Sequence, residues 1–200
     1  MSVWPRRRPA VPGYAREWLE IGERVLAFGW TPYGDLVMAT PRGLWITDHD
    51  TPPPTAAAGA RHAPVTGESA EQPRGRRMGW ESIVTAKWTG DVLTVTPAEE
   101  VAPQIMKRLP PVVLPLPESG DLPRVVRQRV DRSVALSFRR PLSAATTALL
   151  VARRVSGRDG LLWYAVFDRD CDASNEDARR QALDLLELAA AAQAPKAYLD

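Results

Sequence analysis

Residues 79–96 read GWESIVTAKWTGDVLTVT, and their alternation decides the fold class. In an extended chain Val84, Ala86 and Trp88 share one face, while Ile83, Thr85 and Lys87 share the other. After Gly90-Asp91 the pattern resumes, with Leu93 and Val95 against Val92, Thr94 and Thr96. Strand side chains alternate with a period of two, so both runs are strands. A Gly-Asp pair between them predicts a two-residue hairpin, because glycine supplies the positive φ of a primed turn.

Working outward, the upstream chain predicts a meander. Strands are expected at Val25–Thr31, Leu36–Thr40 and Leu44–Thr47, joined by turns at Pro32–Asp35 and Pro41–Gly43. Short connections of this kind favour antiparallel neighbours. Tyr14–Ile21 is expected to form a short helix with Trp18 and Ile21 on one side, ended by Gly22. Residues 1–13 read as a mobile tail, and residues 49–75, rich in Pro, Ala and Gly without apolar periodicity, as a disordered insertion.

Downstream of the hairpin, Pro97–Leu109 suggests a short irregular or helical piece interrupted by Pro103, and Val112–Leu114 an edge strand between prolines. Asp121 and Pro123 open a helix whose apolar residues Leu122, Val126, Val130 and Val134 recur every four positions. Residues 135–194 then predict a three-stranded meander, with strands at Val134–Phe138, Thr147–Val155 and Leu161–Phe167, and a C-terminal helix capped by Ser174 or Asn175. These three strands either continue the first sheet or form a second subdomain. The fold class expected is α+β, mainly an antiparallel sheet or barrel with two amphipathic helices, the second C-terminal.

At 200 residues and 44% hydrophobic, the chain has material for a true core. No run reaches the roughly 18 apolar residues of a membrane span, and no apolar segment follows the arginines at the start, which argues against a secretory signal. A single cysteine, Cys171, forms no internal disulfide, so the cytoplasm is the expected compartment. Of 26 basic residues only Lys87, Lys107 and Lys196 are lysines; with the abundant Ala and Pro, this arginine bias points to a GC-rich genome. A net charge of +2 supplies no global field, which argues against a dedicated nucleic-acid binder.

Two segments carry a family resemblance. LEIGERVLAFGWTPYGDLVMATPRGLWITD (19–48) and RRMGWESIVTAKWTGDVLTVT (76–96) resemble the start of bacterial pleckstrin-homology-like (GRAM-like) domains. The shared features are a leucine before Gly22-Glu23, a strand ending in Thr, a Gly-Leu strand start and a Trp-x-x-Ile strand at Trp80–Ile83. The layout is also similar to that of proteins from high-GC Gram-positive bacteria. The resemblance implies a pleckstrin-homology-like region over 14–134 and a binding rather than catalytic role. The chain departs from the pattern after Val112, where more strands would be expected before the closing helix.

No chemistry-bearing constellation stands out. His49 and His62 fall in or at the edge of the insertion, and neither zinc-ligand spacing nor a phosphate-binding glycine loop is present. The acidic run Asp168, Asp170 and Asp172 lacks the glycine and glutamate of a calcium loop. Catalytic residues, metal and cofactor are therefore all expected to be none. Trp30, Trp45, Trp88 and Trp163 read as core, and Trp4 as an interaction anchor. The adjacent pairs Arg139-Arg140 and Arg153-Arg154 place at most one arginine each on a given strand face. The contiguous basic patch is instead the helix face of Arg124, Arg127 and Arg132, the candidate site for an anion or partner. The functional expectation is a non-enzymatic interaction or scaffolding module for a protein partner, with peripheral contact to anionic lipid as a further expectation. The alternatives are a small carboxylate/arginine enzyme collecting Asp168, Glu81 and Arg139, or a weak nucleic-acid binder.

Overall fold

The computed structural model describes residues 11–47, 75–142 and 146–193. The expected insertion, both histidines and Trp4 lie outside the described residues, apart from Gly75. The fold is α+β and dominated by two sheets.

The first sheet is an antiparallel meander of β1 (Ala27–Trp30), β2 (Leu36–Ala39), β3 (Gly43–Thr47) and β4 (Gly75–Gly79), hydrogen-bonded in that order. The Pro32–Asp35 turn is held by the buried Thr31–Asp35 pair, whose hydroxyl and carboxylate are 2.8 Å apart. β4 is one strand missed in the sequence: Arg76-Arg77-Met78 shows no apolar alternation, and β4 forms because it pairs with β3 in register Leu44↔Met78. The β3–β4 approach is close enough that a Cβ on Gly43 would sit 2.4 Å from the Met78 carbonyl oxygen.

The N-terminal helix is shorter than expected: α1 covers only Gly13–Arg16. The chain then turns, Trp18 stacks on Trp45 at 6.2 Å, and Ile21 is left fully exposed rather than packed beside Trp18. Val11, expected in a mobile tail, packs with Tyr14, Trp18 and Leu19 on a cluster formed by Leu36, Met38 and Trp45.

The hairpin has the expected two-residue turn: Thr89 pairs with Val92, and Gly90 has φ +57°. It joins β5 (Ile83–Thr89) to β6 (Val92–Ala102). Two features differ from the simple alternation. Trp80–Ser82 forms a single 3-10 turn instead of strand. A bulge between Ile83 and Thr85 then switches faces, so Ile83 joins Ala86 and Trp88 in the main core while Val84 points the other way.

The segment 97–109 is strand, not helix. β6 runs through to Ala102, Pro103-Gln104 reverses the chain with Gln104 at φ +63°, and β7 (Ile105–Arg108) returns. Pro97 reads as a breaker, yet it stands where β6 loses its β5 partner, so no N–H is wanted on that edge. β7 and β8 (Val112–Pro115) follow one another along the same flank of β6, separated by Leu109-Pro110-Pro111.

α2 (Leu122–Ser133) closes this layer. Leu122, Val125, Val126 and Val130 pack against Val37, Leu44, Met78, Trp80, Leu93 and Leu114, making one core between the first sheet, β5, β6, β8 and the helix. Asp121 precedes the helix without a side-chain cap, and Val134 belongs to the next strand.

β9 (Val134–Pro141), β10 (Thr147–Arg153) and β11 (Leu162–Phe167) form the expected meander. β11 pairs with β7 in parallel, so the second sheet is mixed and runs β5-β6-β7-β11-β10-β9. α3 (Glu176–Gln193), capped by the Asn175 side chain accepting from the Ala178 N–H at 2.9 Å, buries Ala178, Ala182 and Leu186 against Leu150, Ala165 and Phe167 of that sheet.

The second sheet curls. β5 and β10 are four strand spacings apart, roughly 19 Å in a flat sheet. Yet Arg153 on β10 donates from Nη2 to the Ile83 carbonyl of β5 at 2.9 Å. Its Nη1 reaches the Trp80 carbonyl at 3.2 Å and the Ser133 hydroxyl at 3.0 Å. Val84, Ala98, Met106, Val151 and Val166 fill the inside of the curl. Arg153 is 1% exposed, and burial lowers its pKa to about 10, with Glu81 and Tyr164 pulling it back upward. The folded pKa lies below the unfolded one. The cost of burying the charge is therefore complete below pH 10 and lessens only as pH rises past it.

Replacing Arg153 with Met keeps the volume but leaves the Ile83 carbonyl without its side-chain donor and the Trp80 carbonyl with only the Ser133 hydroxyl at 3.4 Å as one. Urea unfolding of Arg153→Met is expected to show a loss of about 3 kcal/mol or more. A loss under about 1 kcal/mol would show that the arginine is incidental. Gly43→Ala is expected to cost about 2 kcal/mol, because its neighbour is backbone and β4 must move; an unchanged unfolding midpoint would contradict the β3–β4 register.

Candidate partner-binding groove

β5 is the terminal strand of the second sheet; among the described residues no strand pairs with its outer edge. α2 lies alongside. Between them runs an open groove of about 630 Å³. Its hairpin side is Ala86, Lys87, Trp88 and Leu93, and its helix side is Pro123, Arg124, Val126, Arg127 and Asp131. The hairpin positions the strand residues: Trp88 pairs with Leu93 across the ladder, and the Gly90-Asp91 turn sits one residue beyond Trp88's neighbour Thr89. Trp88 is half-buried, packing one side on the core and offering the other to the groove.

The sequence-predicted basic patch divides. Arg124 and Arg127 line the groove; Arg132 lies one turn further, sharing a shallower depression with them and with Gln128 and Asp131. Arg124 is 3.6 Å from Asp121 and Arg127 is 3.8 Å from Asp131, both pairs exposed and on the helix itself. Such pairs are weak and exchange readily for another carboxylate. Lys87 and Trp88 join the groove without being site residues in the sequence pattern. A tryptophan beside a lysine in the last turn of an edge strand is the available signal, but it reads equally as core.

The groups of the alternative enzyme site are not gathered together. Asp168 accepts from Arg139 at 2.9 Å and lies 3.1 Å from Arg108, just past the C-terminal end of β11. Glu81 lies instead by a second groove of about 680 Å³ near the N-terminal end of β11, with Glu99, Glu100, Arg158 and Tyr164. Burial and the charges of Glu100 and Glu81 push the Tyr164 hydroxyl pKa up. Ser174 hydrogen bonds hold the Asp172 carboxyl below its usual range. Among the described residues no group of three His, Cys, Asp or Glu side chains is placed to hold a metal ion. Cys171 is half-buried and packs beside the α3 cluster. No helix among the described residues is long and apolar enough to cross a membrane.

Comparison with protein-family models, curated proteins and solved structures gives no match.

Because Arg124 and Arg127 are solvated and only weakly paired, Arg124→Gln and Arg127→Gln are each expected to change unfolding free energy by less than about 0.5 kcal/mol. A loss above about 1.5 kcal/mol in either variant would mean that these side chains serve the fold instead.

Proposed function

We propose that the chain is a non-enzymatic interaction module of pleckstrin-homology-like organisation, holding a protein partner in the β5–α2 groove. Support for the organisation comes from element order: a four-stranded antiparallel meander, an antiparallel layer of β5, β6 and β7/β8, then a helix packed across both. This order agrees with the resemblance in residues 19–48 and 76–96.

One observation carries the binding site. A strand edge unpaired among the described residues, an apolar floor of Ala86, Trp88, Leu93 and Val126, and a basic rim of Lys87, Arg124 and Arg127 coincide in one groove. A free edge offers backbone N–H and C=O groups to an extended segment, and pockets beside it select side chains. The basic rim favours acidic residues in that segment, and Trp88 supplies a rigid apolar contact.

The test is titration of the full chain with a ten-residue peptide alternating Glu and Val, followed by amide NMR at 150 mM salt. The expected result is perturbation and exchange protection of β5 amides, with affinity reduced at least fivefold in a Lys87→Gln/Arg127→Gln variant. Anionic vesicles and duplex DNA are parallel arms. Binding to either of those alone, with β5 unperturbed by the peptide, would replace the protein-partner reading.

A further inference from the structure

A different corner of the molecule carries an unbalanced charge. At the C-terminal end of α2, a pocket of about 200 Å³ is bordered by Arg129 and Arg132 of the helix and by Arg154 and Ser156 just past β10. Among the described residues, no carboxylate lies within ion-pair distance of Arg129, Arg132 or Arg154. Glu81 borders the pocket as its single acidic group, leaving an excess of two positive charges among the residues that line it. The buried Arg153 adds a further charge from beneath, since Trp80 and Ser133, its hydrogen-bond partners, form part of the pocket wall.

Packing explains only part of this convergence. Arg154 donates from Nη1 to the Arg132 carbonyl at 3.3 Å, and its backbone N–H donates to the Ser133 carbonyl at 2.8 Å, so it helps cap the helix. Cations at a helix C-terminus are also favoured by its dipole. Neither effect requires Arg129, which is half-buried with its pKa lowered by burial and then by Arg132 and Arg24. Arg132 and Arg154 are exposed and Arg129 is half-buried, and guanidiniums that line one pocket in this way are stabilised when an anion enters between them. Planar forks of this kind match the oxygens of a phosphate group.

We infer that this pocket binds a phosphate monoester dianion, with Arg129, Arg132 and Arg154 as its donors. The volume suits one phosphoryl group, and the open side leaves room for whatever bears it. The site lies apart from the β5–α2 groove, with no lining residue in common.

The test is calorimetric titration of the full chain with glycerol phosphate at constant ionic strength. Inorganic phosphate and vesicles containing phosphatidic acid serve as parallel arms, to separate a soluble from a lipid-borne phosphate. Saturable binding is expected, weakened at least tenfold by Arg154→Gln and by Arg129→Gln and unchanged by Arg180→Gln on the distant α3. Affinity is also expected to fall below pH 6, where the dianion takes up a proton. Circular dichroism confirms that each variant is folded, and Arg129→Lys, which keeps the charge, should retain part of the affinity. Absence of saturable binding in all three arms, or equal loss in Arg180→Gln, would overturn the proposal.

Discussion

The guanidinium of Arg153 holds the two ends of the second sheet together. A mixed six-strand path has no intrinsic reason to curl until its first and fifth strands touch. Here the contact is polar: one side chain on β10 serves the Ile83 carbonyl of β5, the Trp80 carbonyl of the 3-10 turn and the hydroxyl that ends α2. Burying an arginine is expensive, and the low pKa records that cost. The cost is offset because these acceptors are also removed from water by the curl and would otherwise lose hydrogen bonds. The charge and the curvature thus depend on each other.

Other parts of the molecule follow from that clamp. Fixing Trp80 and Ile83 sets where β5 begins, and the Trp80 indole donates to the Thr40 carbonyl at 3.0 Å, tying the first sheet to the same point. Fixing Ser133 sets where α2 ends. Arg153 thus fixes the start of β5 against the end of α2, and the groove lined by Trp88 and Pro123 lies toward their other ends. The arginine-rich pocket lies at the Ser133 end of α2, and the proposed partner groove lies nearer its Pro123 end.

Much of the fold was legible because its connections are local. The Gly90-Asp91 hairpin, the β1–β3 meander and the β9–β11 meander each declare themselves through alternation and turn chemistry within a few residues. What stayed hidden depends on distant partners. β4 carries two exposed arginines and forms only against β3. The bulge at Val84 switches a face without any proline or glycine to announce it. Pro97 and Pro103 look like interruptions, although one sits at the last rung of the β5–β6 ladder and the other in a turn. Arg153 is the most instructive case. Strand parity correctly separates it from Arg154, and it continues the Leu149–Val151 face into the curl. The sequence signal for burial was present, but a charge at that position reads as surface until its acceptors are known. For the candidate site, Arg124 and Arg127 were visible as a helix face, whereas Lys87 and Trp88 enter only through the packing of hairpin on helix.

Native-state hydrogen exchange in the wild type and in Arg153→Lys tests the clamp most directly. Lysine keeps the charge but lacks the planar fork that serves three acceptors. If Arg153 couples the sheet ends, amides of β5 and β10 should exchange through a common opening in the wild type, and both should accelerate together in the variant. Those of β1–β3 should change less. Acceleration confined to β10, with β5 unchanged, would contradict the account.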